Sequence, residues 1–197
     1  MNARKLIGVV LVTQIVTLVA AAALLGFIPG VGARAAMADS VQHFSLLAET
    51  MQPLDSSIGY DNTMAFLRTT QDSTISPPAS YIGQLNLPNG ARIVGVRCFG
   101  LDTDPNGEFY FRLYRYNLWD DPVWSAVTDF AYSGVLFSSG KVMIEAAIDA
   151  NMALVDNVNF SYGLFLVLPK AQSGDLGVLR CVVDTSYAIS LPLVQRN

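Results

Sequence analysis

The sequence predicts an all-β fold, an antiparallel β-sandwich of jelly-roll type, and three observations lead to this prediction. Short segments with apolar residues at every second position recur after residue 60, and turn-forming residues separate them. Hydrophobic residues make up 52% of the chain, and the part after residue 38 is still rich in Val, Leu, Phe and Tyr, so it can bury a core of its own. No segment after residue 60 has a convincing helical period, apart from a weak one at residues 146–152. We therefore expect about eight or nine strands in two packed layers.

Residues 1–38 precede this domain and have the pattern of an export segment. Two basic residues come before Leu6–Ile28, an uncharged stretch that we expect to form a hydrophobic helix. Ala36-Met37-Ala38 then offers the small-x-small pattern that a signal peptidase cleaves. About 20 apolar residues also suffice to span a bilayer, so an uncleaved membrane anchor stays open as the alternative. Both interpretations place residues 39–197 outside the cytoplasm, in the periplasm, at the cell surface or in the medium.

Residues 39–59 are interpreted as a connector that contains a short amphipathic helix. Val41, Phe44 and Leu47 recur near helical spacing in this segment. Pro53 limits the helix to a few turns, because proline cannot continue a helix from its interior. We expect this helix to pack on the core of the following domain.

Residues 60–197 form the predicted β-domain, and its strands follow from two-residue periodicity. We expect strands at residues 64–68, 81–87, 92–101, 108–116, 123–130, 141–148, 158–168, 178–183 and 187–193. The clearest is 108–116, which places Phe109, Phe111 and Leu113 on one face. Turn residues such as Pro88-Asn89-Gly90 separate successive strands. The strands at 64–68 and 187–193 are expected at sheet edges, where they could pair with another subunit.

The chain has two cysteines, and both lie in predicted strands. Cys98 alternates with Val94 and Val96, and Cys181 alternates with Leu179, so both side chains are expected to point into the apolar layer. If the two strands are neighbours, the cysteines form a disulfide, which suits an oxidising compartment. Two free, buried thiols are the alternative. Export of the domain favours the disulfide.

The charge balance excludes one class of partner. All three charged residues before residue 39 are positive, so residues 39–197 carry a formal net charge of −7, against −4 for the whole chain. Binding to nucleic acid requires clustered lysine and arginine, and no such cluster is present in the sequence. We therefore expect protein partners or self-assembly, and contact with a membrane only through an uncleaved N-terminal helix.

Several short motifs recur in a combination that resembles a known type of domain. They are Leu85–Ile93 with its "LPxGA" turn, Cys98 with Asp102, Phe111–Arg115, and Val155-Asp156-Asn157 followed by Tyr162. This pattern is similar to a β-sandwich domain of many uncharacterised exported bacterial proteins. The resemblance covers roughly residues 60–190 and implies the fold and the compartment, but it implies no activity. Cys181 departs from the pattern.

Asp102, Asp104 and Asn106 form the sharpest local motif, because D-x-D-x-N-G is the first half of a calcium-binding loop. An EF-hand requires glutamate at the twelfth position, where this chain has Leu113, so an EF-hand is excluded. A simpler structural calcium site stays open. The alternative, which we favour, is a tight turn that needs Asp, Asn and Gly for its geometry.

Aromatic residues mark a candidate binding surface on the outer face of the strand at 108–116. Its residues are Tyr110, Arg112 and Tyr114, with Trp119 and Trp124 close by in the sequence. Such side chains stack on sugar rings or form protein interfaces, and cross-strand packing is the alternative explanation.

Catalysis finds little support in the sequence. His43 is the only histidine, so Ser-His-Asp and Cys-His catalysis and histidine-based metal sites have no basis. No phosphate-binding loop, dinucleotide fingerprint or G-x-S-x-G motif is present in the sequence. We expect no enzyme, and no cofactor apart from the calcium considered above.

These observations favour a non-enzymatic, exported structural or interaction module that assembles with itself or with an envelope complex. Two alternatives stay open. The first is a membrane-anchored accessory subunit of a larger respiratory or photosynthetic membrane complex. The second is a carbohydrate-binding module that uses the aromatic surface.

Overall fold

The computed structural model describes residues 40–75, 78–119, 123–134 and 140–187. The predicted N-terminal helix, its cleavage site and most of the predicted strand at 187–193 lie outside these residues. In the described part of the chain, which begins at Ser40, no helix has the length and hydrophobicity of a membrane span. The described residues contain only strands, loops and two single-turn 3-10 helices, so the all-β prediction is confirmed.

Twelve strands lie within the described residues. They are β1 (Val41–Leu47), β2 (Gln52–Pro53), β3 (Gly59–Asp61), β4 (Arg68–Gln71), β5 (Ser80–Leu85), β6 (Arg92–Asp102), β7 (Tyr110–Asn117), β8 (Trp124–Ala126), β9 (Ala131–Tyr132), β10 (Lys141–Glu145), β11 (Phe160–Val167) and β12 (Leu176–Ser186). A four-stranded sheet has the order β1-β12-β6-β10. A six-stranded sheet has the order β2-β5-β11-β7-β8, with β9 also paired to β7, and β3 pairs with β4. All pairings between these strands are antiparallel.

The two larger sheets share one apolar core, which makes the domain sandwich-like. Phe111, Leu113 and Leu164 of the six-stranded sheet are fully buried, as are Cys98 and Val183 of the four-stranded sheet. The prediction that alternate residues of β7 point inward is therefore confirmed. Burial of these apolar surfaces stabilises the fold by roughly 25 cal/mol per Å² removed from water.

Two glycines let the sheets approach each other closely. A side-chain carbon at Gly83 of β5 would meet Leu46 of β1, and one at Gly100 of β6 would meet Phe109. Gly83 and Leu46 lie in opposite sheets, and Phe109 directly precedes β7, which belongs to the sheet opposite Gly100. A larger residue at either glycine would therefore push the two sheets apart.

The expected helix in residues 39–59 is wrong, because Val41–Leu47 forms strand β1. All seven residues of β1 pair with β12, from Val41 opposite Ser186 to Leu47 opposite Arg180. Phe44 packs against the core from the inner face of this strand. The pairing partner lies about 140 residues away in the sequence, as the register of His43 with Asp184 shows, so local spacing gave no sign of it.

Other strand boundaries also differ from the prediction. The expected strand at 64–68 is a 3-10 turn at Thr63–Ala65, and the strand begins only at Arg68. Two bulges in the β6–β12 pair reverse the predicted alternation locally. They leave Val94 exposed and Leu179 only partly buried, although both were expected to face the core beside the cysteines.

Cys98 and Cys181 form a disulfide between β6 and β12. The two residues are direct partners in the ladder, with their Cα atoms 4.0 Å apart, and both are buried. A disulfide in this position is compatible with a location outside the cytoplasm.

Candidate ligand-binding face

The outer face of the six-stranded sheet carries aromatic side chains of β7 and β8: Tyr110, Tyr114 and Tyr116, which are half-buried, and Trp124, which is exposed. Strand pairing sets Gly163 of β11 beside Tyr114 of β7, and Ser161 of β11 beside Tyr116 of β7. Trp124 of β8 lies on the other side of Tyr116. Side chains of several strands therefore meet on one surface, which we name the outer face.

A cleft on this face is lined by polar and apolar side chains, and we name it the amide cleft. Its volume is about 490 Å³, which is within the range of about 300–1,000 Å³ typical of ligand pockets. Its lining residues are Gln52, Ile82, Gln84, Tyr116, Ser161, Tyr162 and Gly163. Gln52 and Ile82 are partners across β2 and β5, and Gln84 is the partner of Gly163 across β5 and β11. The cleft thus crosses four adjacent strands.

A second, smaller cleft on the same face is lined by Leu54, Tyr114, Trp124 and Phe165, and we name it the aromatic cleft. Its volume is about 230 Å³. The Tyr114 ring makes edge contacts with Trp124 and Phe165, at centroid distances of 5.3 and 6.0 Å. Trp124 keeps 42% of its surface exposed, so its ring is available to a ligand.

Tyr116 connects the two clefts. Its ring lies 3.9 Å from that of Trp124, measured between centroids, and covers Gly163. The Tyr116 hydroxyl is buried and has no hydrogen-bond partner among the described residues. Burial raises the pKa of Tyr116 to about 12, and the neighbouring Tyr114 adds to this shift. The phenol therefore stays neutral and can donate a hydrogen bond throughout the physiological pH range.

The predicted binding-surface residues divide into three groups. Tyr114 and Trp124 line the aromatic cleft. Arg112 and Tyr110 lie further along the same face, where the Arg112 Nε donates to the Thr128 carbonyl at 2.7 Å. Trp119 is 75% exposed and lies outside both clefts, with its indole nitrogen donating to the Val158 carbonyl at 3.0 Å.

The predicted calcium-loop residues form a buried hydrogen-bonded turn. Asp102 accepts hydrogen bonds from the Ser133 hydroxyl and, at 3.2 Å, from the Asp104 amide. Asp104 accepts from the Asn106 amide at 3.0 Å and from the Gln172 amide. Among the described residues, no three His, Cys, Asp or Glu side chains are grouped so as to hold a metal ion. The geometry satisfies the carboxylates with protein donors, as a turn requires, and the calcium site stays a prediction.

The two carboxylates of this turn titrate in opposite directions. Burial raises the pKa of Asp102 above its ordinary value of 3.8, although hydrogen bonds from Ser133 and the Asp104 amide oppose the shift. Burial acts the same way on Asp104, but hydrogen bonds from Asn106, Gln172 and Ser173 outweigh it and lower the pKa of that carboxyl. The folded protein therefore releases the Asp102 proton at higher pH than the unfolded chain does.

This difference predicts a pH-dependent effect of Asp102→Asn. Between about pH 4 and the raised pKa, the unfolded chain ionises Asp102 before the folded protein does, so wild-type stability falls as pH rises. The variant cannot ionise at this position, so its stability should not show this fall between pH 4 and pH 8. The difference in stability between variant and wild type should therefore favour the variant more at pH 8 than below pH 4. Urea unfolding from pH 3.5 to 8 measures it, with the exposed Asp129→Asn as the charge control, and a difference that does not vary with pH would contradict the assignment.

The single histidine lies on the opposite side of the domain from both clefts. The His43 Nδ1 of β1 lies 2.6 Å from a carboxylate oxygen of Asp184 on β12, and Arg97 of β6 contacts the second oxygen. These three residues link adjacent strands of the four-stranded sheet. His43 had been expected in a connector, and the strand pairing places it in this charged cluster instead.

Comparisons of the chain with family models, with curated proteins and with solved structures found no match. The candidate site is therefore defined by the geometry of this molecule alone.

Sequence reasoning missed most of the amide cleft. Gln52 was assigned to the connector, and no binding role was predicted for the outer faces of the strands that contain Gln84, Ser161 and Gly163. Alternation along β5 does place Ile82 and Gln84 on the face opposite Tyr81 and Leu85, which was a usable signal. The register that brings these residues beside Tyr116 cannot be read from alternation alone.

Proposed function

We propose that this protein is a non-enzymatic, exported interaction module of jelly-roll type, which binds a partner in the cell envelope through the outer face. The observation that carries the proposal is the pair of adjoining clefts on that face, lined by aromatic side chains, of which Trp124 is exposed, and by the exposed carboxamides of Gln52 and Gln84. Concave surfaces of this composition are typical of binding sites. The buried disulfide is compatible with the proposed export.

The jelly-roll topology is supported by the nesting of strand pairs. β1 pairs with β12, β5 with β11, β6 with β10, and β7 with β8. The chain thus folds like one long hairpin whose successive pairs alternate between the two sheets. A jelly roll is an eight-stranded double-sheet arrangement of this kind.

The proposal leaves the identity of the partner open, and the alternatives of the sequence analysis differ only in that partner. Assembly with copies of the chain, docking to an envelope complex, or service as an anchored accessory subunit would each use an exposed aromatic surface. An N-terminal anchor would keep the domain at the membrane, and cleavage would release it.

The proposal predicts that binding to envelope material depends on the outer face. We expect Tyr114→Ala combined with Trp124→Ala to reduce by about tenfold or more the fraction of exported protein that stays bound to envelope components after mild detergent has released any N-terminal anchor from the bilayer, because both rings line the aromatic cleft. Sedimentation velocity of the same samples reports self-assembly. The control is Val94→Ala combined with Met143→Ala, since both residues are exposed on the four-stranded sheet. Equal retention and equal sedimentation of the two double variants would overturn the proposal.

A further inference from the structure

We propose that the amide cleft binds a neutral glycan chain and that the aromatic cleft extends this site. The inference rests on the proposed function, because it names the chemistry of the envelope partner. A sugar ring presents an apolar face of C–H groups and a rim of hydroxyls. A site for it therefore needs aromatic or aliphatic surface beside hydrogen-bonding groups that fix orientation.

The cleft supplies both kinds of surface. The carboxamides of Gln52 and Gln84 and the hydroxyl of Ser161 each offer a donor and an acceptor. The structure gives no hydrogen bond to another described residue for these three side chains, so they are available to a ligand. Ile82 and the Tyr116 ring provide the apolar surface between them.

The charges on this face favour a neutral ligand. Among the described residues, none of those that line the two clefts is charged. Arg112 lies on the same face, with its guanidinium 5.4 Å from the Tyr114 ring centroid and 4.6 Å from that of Phe130, and its Nε donates to the Thr128 carbonyl. This single cation stands beside the aromatic cleft and not in the lining of the amide cleft, and the net charge of the protein is negative, so the amide cleft favours a neutral ligand over an acidic one.

The Tyr116 hydroxyl is the second observation that points to a ligand. It is buried and has no hydrogen-bond partner in the described part of the chain, although it belongs to a residue that lines the cleft. A buried hydroxyl in this condition destabilises the folded protein, and so its presence calls for a compensating role. A small movement of the phenol toward the cleft would let its hydroxyl donate a hydrogen bond to a sugar hydroxyl.

Gly163 shapes the floor of the cleft beneath this tyrosine. A side-chain carbon at position 163 would lie 3.1 Å from the Tyr116 ring and 3.4 Å from its hydroxyl. Any larger residue would therefore displace the ring into the space that a sugar would occupy. Glycine at this position keeps the cleft open.

The test measures binding and stability of the same variants. Isothermal titration of the exported full-length protein with cellohexaose, laminarihexaose and chitohexaose should yield at least one Kd below about 1 mM, and tetragalacturonic acid is the acidic comparison. Tyr116→Phe should weaken that binding roughly five- to tenfold, since it removes one hydrogen bond to the ligand. The same variant should melt at a higher temperature than wild type, because the unpaired hydroxyl is gone. Tyr132→Phe, an exposed tyrosine outside both clefts, should change neither property.

Each contrary result identifies what fails. If no neutral oligosaccharide binds, or only the acidic one does, the glycan assignment is overturned, while envelope binding that still depends on Tyr114 and Trp124 leaves the proposed function standing. A neutral glycan that binds Tyr116→Phe as tightly as wild type overturns the assignment of the amide cleft. Loss of the outer-face dependence itself overturns the proposed function.

Discussion

Reduction of the Cys98–Cys181 bond should lower the free energy of unfolding by about 4 kcal/mol. The bond joins residues separated by 83 positions, so in the unfolded chain it closes a long loop. Loss of this constraint increases the entropy of the unfolded state, and the effect grows with loop length. The bond also joins β6 and β12, the two central strands of the four-stranded sheet.

Urea unfolding measures the effect on two samples. One is the oxidised protein, and the other is protein that was reduced while unfolded and then refolded in the presence of reductant. Thiol titration must show two free cysteines in the reduced sample. A double variant, Cys98→Ala with Cys181→Ala, separates loss of the bond from the chemistry of the thiols, although it adds a small cavity. Coincident unfolding curves for oxidised and reduced protein would show that the bond contributes nothing to stability.

The interior strands could be predicted because their alternation survives in the folded chain. In β7, Phe109, Phe111 and Leu113 are all fully buried, as the two-residue period requires. The inward orientation of Cys98 and Cys181 was likewise predictable from alternation, whereas their disulfide was predicted only on the condition that the two strands are neighbours. These features depend on the local pattern of one strand at a time.

Features that depend on pairing between distant strands could not be predicted. The apolar residues of Val41–Leu47 fit a helix as well as a strand, and only pairing with β12 decides between them. At Val94, an extra residue in β6 forms a bulge in the pairing with β12, which changes the face of that residue. Both effects depend on pairing with β12 and cannot be read from the sequence of either segment alone.

The candidate site shows the same division. Tyr114 and Trp124 could be selected because aromatic residues are conspicuous on a predicted outer face. No local pattern in the sequence singles out Gln84, Ser161 or Gly163. They become part of a cleft only through the strand register that brings them close to Tyr116. A binding cleft that crosses four strands is a property of the sheet and cannot be assigned from any one strand.

The motifs behind the family resemblance have a structural explanation in this molecule. The "LPxGA" turn before β6 and the Val155-Asp156-Asn157 segment before β11 hydrogen-bond to each other. The Gly90 amide donates to the Val155 carbonyl, and the Val155 amide donates to the Ala91 carbonyl, both at 2.8 Å. Gly90 has a φ of +77°, a conformation that favours glycine. Both motifs thus belong to one loop-to-loop tie at one end of the domain.

Asn157→Ala should lower the free energy of unfolding by about 2 kcal/mol, because Asn157 makes the side-chain bond of this tie. Its carboxamide donates to the Leu87 carbonyl at 2.6 Å, and its backbone amide donates to the Asn89 side-chain oxygen at 2.9 Å. Leu87 is buried, so removal of the carboxamide would leave its carbonyl without that partner in an apolar setting.

The matched control is Asn159→Ala, which lies in the same loop and also removes a carboxamide. Asn159 donates to the exposed side chain of Asp156 at 2.7 Å and makes no bond to the "LPxGA" turn. A loss of less than about 0.5 kcal/mol is expected for it, as for most surface substitutions. Both variants should retain envelope binding, because the tie lies outside the two clefts. Equal destabilisation by the two substitutions would contradict the assigned role of the Asn157–Leu87 hydrogen bond. It would show instead that the loop is sensitive to any side-chain truncation.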